Sequence, residues 1–514
     1  MNTAPEASPA VVPLAQWEQA AQAGDAGAQL ALANHLLKAH RFGTAEHERG
    51  RQLLLAAADG PRAREACWFL GAYYLQVTTW PDAHAQAAHW LERAAQAGVA
   101  PAIDRLATLH LQGIGIAFDP ARALALQRHL ADAGFQQAAW ESGYLLDRCG
   151  DGDAAATAFA RACALGFPPA YYSLGLRLAL AAVDRRDLAL ARALLLRAAD
   201  AGFPDAASAA DALAPAAVAG AQTGQWHRRL KENLVAARPI LQSLQPADVP
   251  LTQASLHPLV VRLERHFADI GHAALRIDGA GRLQAAAACS GSPRTEPAPL
   301  QWLAQQPRIG VSRGFASREE CAHMMHKAAP KLRHPRDYLH ADSVNDASEG
   351  EFFNGQGHPP GALFADAVVR SIERRVATIA GWDVTALEPH AVIRYQPGEE
   401  YLPHVDSFTA EQILVNRRRG DLGGQRVVTF LLCLHAAEEG GETFFHHPDL
   451  AVRGEVGMGL LHYNAIADGG LDAQSLHSGR PVRRGEKWMW RSTLREHPLY
   501  PTAADAARND PLQP

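Results

Sequence analysis

The sequence predicts a multidomain chain: an all-helical solenoid of hairpin repeats first, then an α+β domain whose core is a small double-layered β-barrel. Three observations carry this. A small-residue pattern recurs through the first two hundred or so residues, and after Arg308 helices give way to short strand-like runs separated by Gly and Asp turns. At 514 residues the chain also exceeds one ordinary domain.

The repeat is read from glycines. Gly24, Gly60, Gly98, Gly134, Gly166 and Gly202 follow one another at intervals of 36, 38, 36, 32 and 36. Four residues after five of them comes Ala28, Ala102, Ala138, Ala170 or Ala206. Leu32, Leu106 and Leu174 occupy the eighth position, and small residues (Ala33, Ala107, Gly143, Gly175) the ninth. The second unit carries the same triplet two residues late, as Ala66, Leu70 and Gly71, and its interval is two residues longer. Each unit reads as two antiparallel helices, with apolar residues facing inward, small residues at the crossing and a left-handed Gly cap. One unit cannot bury its own face, whereas a stack can.

Between the two parts the pattern weakens. Leu256 to Ala274 has helical periodicity, Arg276-Ile277-Asp278-Gly279 suggests a turn between short strands, and Ser290 to Pro299 is a Pro/Ser spacer. The domain reading is therefore a tail at 1–14, repeats at 15–215, a partly structured connector at 216–305, the α+β domain at 306–500 and a tail at 501–514. In the α+β domain, Arg308 to Val311 is a short strand and Ser317 caps a helix with an acidic first turn. An amphipathic helix runs from about Ala365 to Ala380, and strands are expected over His390–Tyr395, Val427–Leu434, Gly459–Tyr463 and Lys487–Leu494.

Composition narrows the functional classes. A hydrophobic fraction of 48%, a charged fraction of 20% and a net charge of -5 describe a globular protein with no electrostatic case for nucleic acid or membrane surfaces. Cys67, Cys149, Cys163, Cys289, Cys321 and Cys433 are scattered without C-x-x-C spacing, as expected of buried thiols in a reducing compartment. The first residues lack a signal-peptide pattern and no apolar run is long enough to span a membrane, so a cytoplasmic location is expected.

Chemistry concentrates at His404-Val405-Asp406. On an extended segment, an H-x-D sends both side chains to one face. His477 from a later strand completes two nitrogens and one carboxylate, a set that leaves coordination positions open for a co-substrate and oxygen on non-haem Fe(II).

Around these residues lie further segments: Arg394-Tyr395-Gln396-Pro397-Gly398, Gly440-Gly441-Glu442-Thr443-Phe444-Phe445, His477-Ser478-Gly479-Arg480-Pro481-Val482 and Gly485-Glu486-Lys487-Trp488. In this order they resemble the prolyl 4-hydroxylase family of 2-oxoglutarate- and Fe(II)-dependent dioxygenases, over about residues 306–497. The repeats resemble the Sel-one-like, tetratricopeptide-related arrays, with Gly113-Ile114-Gly115 and Asp119 in the loop between helices. The first resemblance implies a double-stranded β-helix, or jelly roll. It makes His404, Asp406 and His477 the catalytic iron ligands and Lys487 the cation for the far carboxylate of 2-oxoglutarate. An unpaired charge buried there is costly, which suits a fixed cation. Tyr395 and Thr443 line the same co-substrate pocket, with Tyr401 beside them. Arg480, Arg483 and Arg484 are rivals for Lys487; His446 and His447 read as loop residues, His435 and His462 as structural, and Trp490 as either a wall of the site or core.

The implied reaction oxidises 2-oxoglutarate to succinate and carbon dioxide with O2 while hydroxylating a C–H bond, with ascorbate sustaining the iron. The repeats favour a protein or peptide substrate, bound through their extended surface. The alternatives are hydroxylation of a free amino acid or small metabolite, and a non-catalytic metal-binding scaffold. Where the family carries an Arg-Thr-Ser stretch near its substrate groove, this chain has Ser343 to Asn354, which leaves the substrate open. Ser407 to Arg426, containing Arg417-Arg418-Arg419, reads as a long loop that closes over a peptide.

Overall fold

The computed structural model describes residues 14–39, 44–77, 80–149, 151–180, 188–204, 206–213, 276–277, 283–284, 299–333, 356–357, 366–418, 421–466 and 470–500. The expected helix at 256–274 and the substrate-groove stretch 343–354 lie outside these residues, as does all but the end of the 290–299 spacer.

The described residues of the amino-terminal part form α1 (Leu14–Gln22), α2 (Ala26–Ala39), α3 (Ala45–Ala57), α4 (Ala63–Tyr74), α5 (Ala83–Gln96), α6 (Ala100–Gln112), α7 (Pro120–Asp132), α8 (Gln136–Arg148), α9 (Gly152–Ala164), α10 (Pro168–Leu180), α11 (Leu188–Asp200) and α12 (Ala206–Ala212). Helices α2/α3, α4/α5, α6/α7, α8/α9 and α10/α11 pack as successive hairpins. The ninth position does what the pattern requires of it. A Cβ on Gly71 would meet Leu91 at 2.7 Å, one on Gly143 would meet Phe159 at 2.6 Å, and one on Gly175 would meet Leu195 at 2.9 Å. Five of the six turn glycines take positive φ, from 74° at Gly202 to 90° at Gly134. Gly60 is the exception, in the unit with two extra residues before its next helix.

The carboxy-terminal part contributes α13 (Arg318–Ala328), α14 (Ala367–Ala380) and α15 (Ala410–Arg418). Ser317 and Glu320 form a reciprocal capping box on α13, and Asp366 caps α14. Strands β1 (Arg276–Ile277) and β2 (Leu283–Gln284) pair with each other. The barrel strands are β3 (Gln301–Gln305), β4 (Arg308–Ser312), β5 (Gln356–Gly357), β6 (Ala391–Tyr395), β7 (Tyr401–His404), β8 (Arg426–His435), β9 (Glu439–Gly440), β10 (Thr443–Phe445), β11 (Leu450–Val452), β12 (Gly459–Tyr463), β13 (His477–Gly479), β14 (Val482–Arg484) and β15 (Lys487–Arg495). They form an antiparallel major sheet ordered β3-β4-β12-β8-β15-β6-β5, a minor sheet ordered β11-β10-β13-β7, and a β14-β9 ladder. This is the jelly-roll architecture, with helices on the outside of the major sheet.

One apolar core runs through both parts. It passes from Leu106, Trp140 and Tyr172 in the repeats, through Met324, Ile372 and Val376 on α13 and α14, to Phe430 and Trp490 in the major sheet. Helix α14 packs on α6 and α8, and α13 packs on α10. Part of the repeat surface is therefore taken by the chain's own carboxy-terminal domain. No described helix is long and apolar enough to cross a membrane.

Residues 407–426 depart from the expected loop. Thr409 accepts from Gln412 N at 3.2 Å and Gln412 Oε1 accepts from Thr409 N at 2.8 Å, a capping box that opens α15. The base of the segment is fastened: Gln425 bonds Phe408 in both directions, at 2.6 and 2.9 Å, and Asp421 pairs with Arg495 at 3.1 Å.

Candidate active site

The two sheets place the chemistry between them. On β15, Lys487, Met489 and Arg491 point to one face because strand side chains alternate, and Ile393 and Tyr395 do the same on β6. Register puts Lys487 opposite Tyr395 and Met489 opposite Ile393. From the minor sheet, His477 on β13 pairs with His404 on β7, which aligns the two imidazoles. Asp406 follows two residues after His404, just beyond the strand.

Together these line a cleft of about 410 Å3 open to solvent, into which Tyr395, Tyr401, His404, Asp406, Thr443, His477 and Lys487 all project. The sequence-derived site residues thus share one wall-to-wall space. Arg480, Arg483 and Arg484 do not line it: Arg480 lies over the Phe444 ring at 4.0 Å and Arg484 reaches exposed Glu438 at 2.6 Å. Trp490 belongs to the core. It is fully buried on the other face of β15, stacked with His390 at 5.4 Å.

The metal-ligating atoms of His404, Asp406 and His477 lie within 4.8 Å of one another. His404 Nδ1 is 2.8 Å from the Leu402 carbonyl, and His477 Nδ1 is 3.0 Å from the Ser475 carbonyl. A carbonyl only accepts, so each Nδ1 carries the proton and each Nε2 presents its lone pair to the site. Burial holds the His477 imidazole well below its usual pKa, which keeps it neutral. Burial works to raise the Asp406 carboxyl, yet its contacts with His404, His477 and His462 outweigh that and hold it well below the carboxylate range. Two imidazoles and one carboxylate, with Tyr401 stacked on His404 at 3.9 Å, fit a divalent cation with open positions.

Lys487 is buried, with its Nζ 5.4 Å from the Tyr395 ring centre. Burial lowers its pKa to about 8. Among the described residues no carboxylate pairs with it, so the cleft offers an anion a cation already in place.

Sequence reasoning missed several neighbours. Thr429 donates to Asp406 Oδ2 at 2.5 Å, and Asn464 stands behind it. Ile393, Leu431 and Met489 supply apolar walls, and Arg491 lines the cleft two residues beyond Met489. Their alternation with buried partners on β8 and β15 is the signal that identifies them. His462, read as structural, is fully buried with Nε2 3.7 Å from Asp406 Oδ2; burial lowers its pKa to about 4.

The 2OG-Fe(II) oxygenase superfamily matches residues 390–493 of this chain. Prolyl 4-hydroxylase 13 of Arabidopsis thaliana is 29% identical over 213 residues, covering 38% of this chain and 74% of that protein. Probable prolyl 4-hydroxylase 3 of the same plant is 30% identical over 214 residues, covering 37% and 70%. Among solved structures, a Sel1 repeat protein from Oxalobacter formigenes aligns over 51% of this chain and 77% of its own, with 21% identity and a TM-score of 0.34.

Proposed function

This chain belongs to the prolyl 4-hydroxylase family of 2-oxoglutarate- and Fe(II)-dependent oxygenases, and from that membership we propose that its cleft hydroxylates a prolyl residue of a protein or peptide. The observation that carries the reading is the pairing, in one cleft, of the His404–Asp406–His477 set with buried Lys487.

Each residue has a part. His404, Asp406 and His477 would hold Fe(II), each imidazole through its Nε2 and the aspartate through its carboxylate. Bound there, Fe(II) with 2-oxoglutarate and O2 supplies oxidative decarboxylation of the co-substrate and hydroxylation of a C–H bond. Lys487 anchors the far carboxylate, with Tyr395 and Thr443 offering hydroxyls alongside. Ile393, Leu431 and Met489 keep water from the reacting centre. Ascorbate sustains the reduced iron. Repeats at 15–215 recruit the partner and residues 306–500 carry the chemistry. Cys67, Cys163, Cys321 and Cys433 are free thiols, which supports a cytoplasmic setting.

The test is succinate release from 2-oxoglutarate by the full chain with Fe(II) and proline-containing peptides, with mass spectrometry for a 16-dalton gain on the peptide. Turnover that His404→Ala abolishes, together with the mass gain, supports the reading. Succinate formed only with free amino acids moves the substrate to small molecules, and no iron-dependent turnover at all leaves a scaffold.

A further inference from the structure

The two carboxylate oxygens of Asp406 are treated differently by the fold. Oδ1 lies 3.5 Å from His404 Nε2. Oδ2 is 3.8 Å from His477 Nε2, with His462 at 3.7 Å on its flank, and it accepts a 2.5 Å hydrogen bond from the Thr429 hydroxyl. Thr429 Oγ1 is in turn 2.8 Å from Asn464 Nδ2. Thr429 and Asn464 are both 0% exposed.

Proton counting fixes the direction of this chain. A carboxylate that ligates a metal offers only acceptors, and at 2.5 Å the single hydroxyl proton of Thr429 points at Asp406. Thr429 then has none left for Asn464, so the amide must present its NH2 and not its carbonyl. The backbone of Asn464 is held on both sides, its N donating to Val427 O at 2.8 Å and its main-chain carbonyl accepting from Asp472 N at 3.0 Å. The links also cross the barrel, since Asp406 follows β7 of the minor sheet while Thr429 sits on β8 and Asn464 just past β12 of the major sheet.

We propose that Asn464 and Thr429 form a positioning relay that fixes the plane of the Asp406 carboxylate and reserves Oδ1 for the metal. Neither residue touches the metal or the reacting atoms; both act through Asp406. The inference rests on the assignment of His404, Asp406 and His477 as the ligand set. A carboxylate held from behind through one oxygen would offer the metal the other, whereas a freely rotating carboxylate could offer both. Groups that orient a metal's ligands typically change its affinity by roughly 10–100-fold when removed.

The experiment is Co(II) titration of the metal-free full-length protein, followed by visible absorption, with thermal unfolding of the same samples. Thr429→Val removes the donor at nearly constant shape and is expected to weaken Co(II) binding roughly 10-fold or more. Thr429→Ser, which keeps the hydroxyl, is expected to restore it to within about 3-fold. A purely structural threonine would lower the unfolding temperature and leave affinity and spectrum unchanged, and that result overturns the relay. Should Thr429→Val not fold, Asn464→Ala carries the test, and unchanged Co(II) affinity there overturns it equally. A wild-type protein that binds no Co(II) removes the ligand set itself, a different failure from a variant that binds like wild type.

Discussion

Tyr144, on α8 of the repeat array, donates a 2.6 Å hydrogen bond to Glu320, the residue that closes the capping box of the oxygenase domain's first helix. Glu320 also accepts from Arg375 at 2.6 Å, and Arg375 donates to the Phe315 carbonyl at 2.6 Å. Phe315 packs on Phe430 at 4.6 Å, one residue after Thr429. The repeats are thus joined to the catalytic domain by buried polar groups as well as by apolar packing. A second set adjoins it, where Glu141 of α8 accepts from Ala367 N at 3.1 Å and Trp140 stacks on His323 at 4.4 Å.

Removing the phenol should therefore destabilise the whole molecule. Tyr144→Phe takes a donor from a buried carboxylate and is expected to cost about 1.5–3 kcal/mol. Arg375→Met should cost more, roughly 3–5 kcal/mol, because it strands the charge of Glu320. Denaturant unfolding measures both, and a Tyr144→Phe loss under about 0.5 kcal/mol would sink the coupling.

Acid should act at the same interface. Burial raises the Glu320 carboxyl, but Arg375, Arg148 and Tyr144 outweigh it and hold the pKa below its ordinary 4.5. Glu388 is likewise lowered to about 2, against burial, by Arg426 and Arg495. A carboxyl with a depressed folded pKa contributes stability above its unfolded value and loses it as pH falls through the folded one. Unfolding free energy should drop from about pH 4.5 toward 2, and Glu388→Gln should flatten that slope. An unchanged slope in the variant would be the contrary result.

Co-substrate binding should weaken in alkali. Lys487 has its pKa lowered by burial to about 8, so the ammonium that meets a carboxylate is present below that pH and lost above it. The KM for 2-oxoglutarate should rise about tenfold per unit above pH 8, while kcat at saturation holds further up because the bound dianion favours the charged lysine. Lys487→Met should raise KM by more than about 30-fold at neutral pH. A KM flat from pH 7 to 9.5 would place the anchoring charge elsewhere.

The hairpin crossings should resist even one methyl group. Gly143→Ala would set a Cβ 2.6 Å from the Phe159 ring. Despite the better helix propensity of Ala, a net loss of about 1–2 kcal/mol is expected by denaturant unfolding. A stabilised variant would mean that α8 and α9 have room to part.

The sequence makes the repeats and the ligand set legible because both depend on fixed periods. Gly71, Gly143 and Gly175 recur where helices cross, and His404 and Lys487 fall on strands whose alternation decides their face, with Asp406 two residues past His404. Thr429 and Asn464 were not legible, since a threonine on a strand and an asparagine at its end look ordinary until Asp406 arrives from the other sheet. Helix α15 had a readable signal, Thr409-x-x-Gln412, which the Arg-rich composition after it obscured. The seating of α13 and α14 on α6, α8 and α10 brings together residues as far apart as Tyr144 and Glu320, beyond the reach of any local pattern.

The most direct test of the site is calorimetric titration of 2-oxoglutarate, without oxygen, into the full-length protein loaded with Mn(II). With His404, Asp406 and His477 holding the metal and Lys487 the far carboxylate, wild type should bind one equivalent only when metal is present. His404→Ala should lose that metal dependence, and Lys487→Met should lose most of the affinity. Binding that is equally tight without metal, or in Lys487→Met, would contradict the assignment.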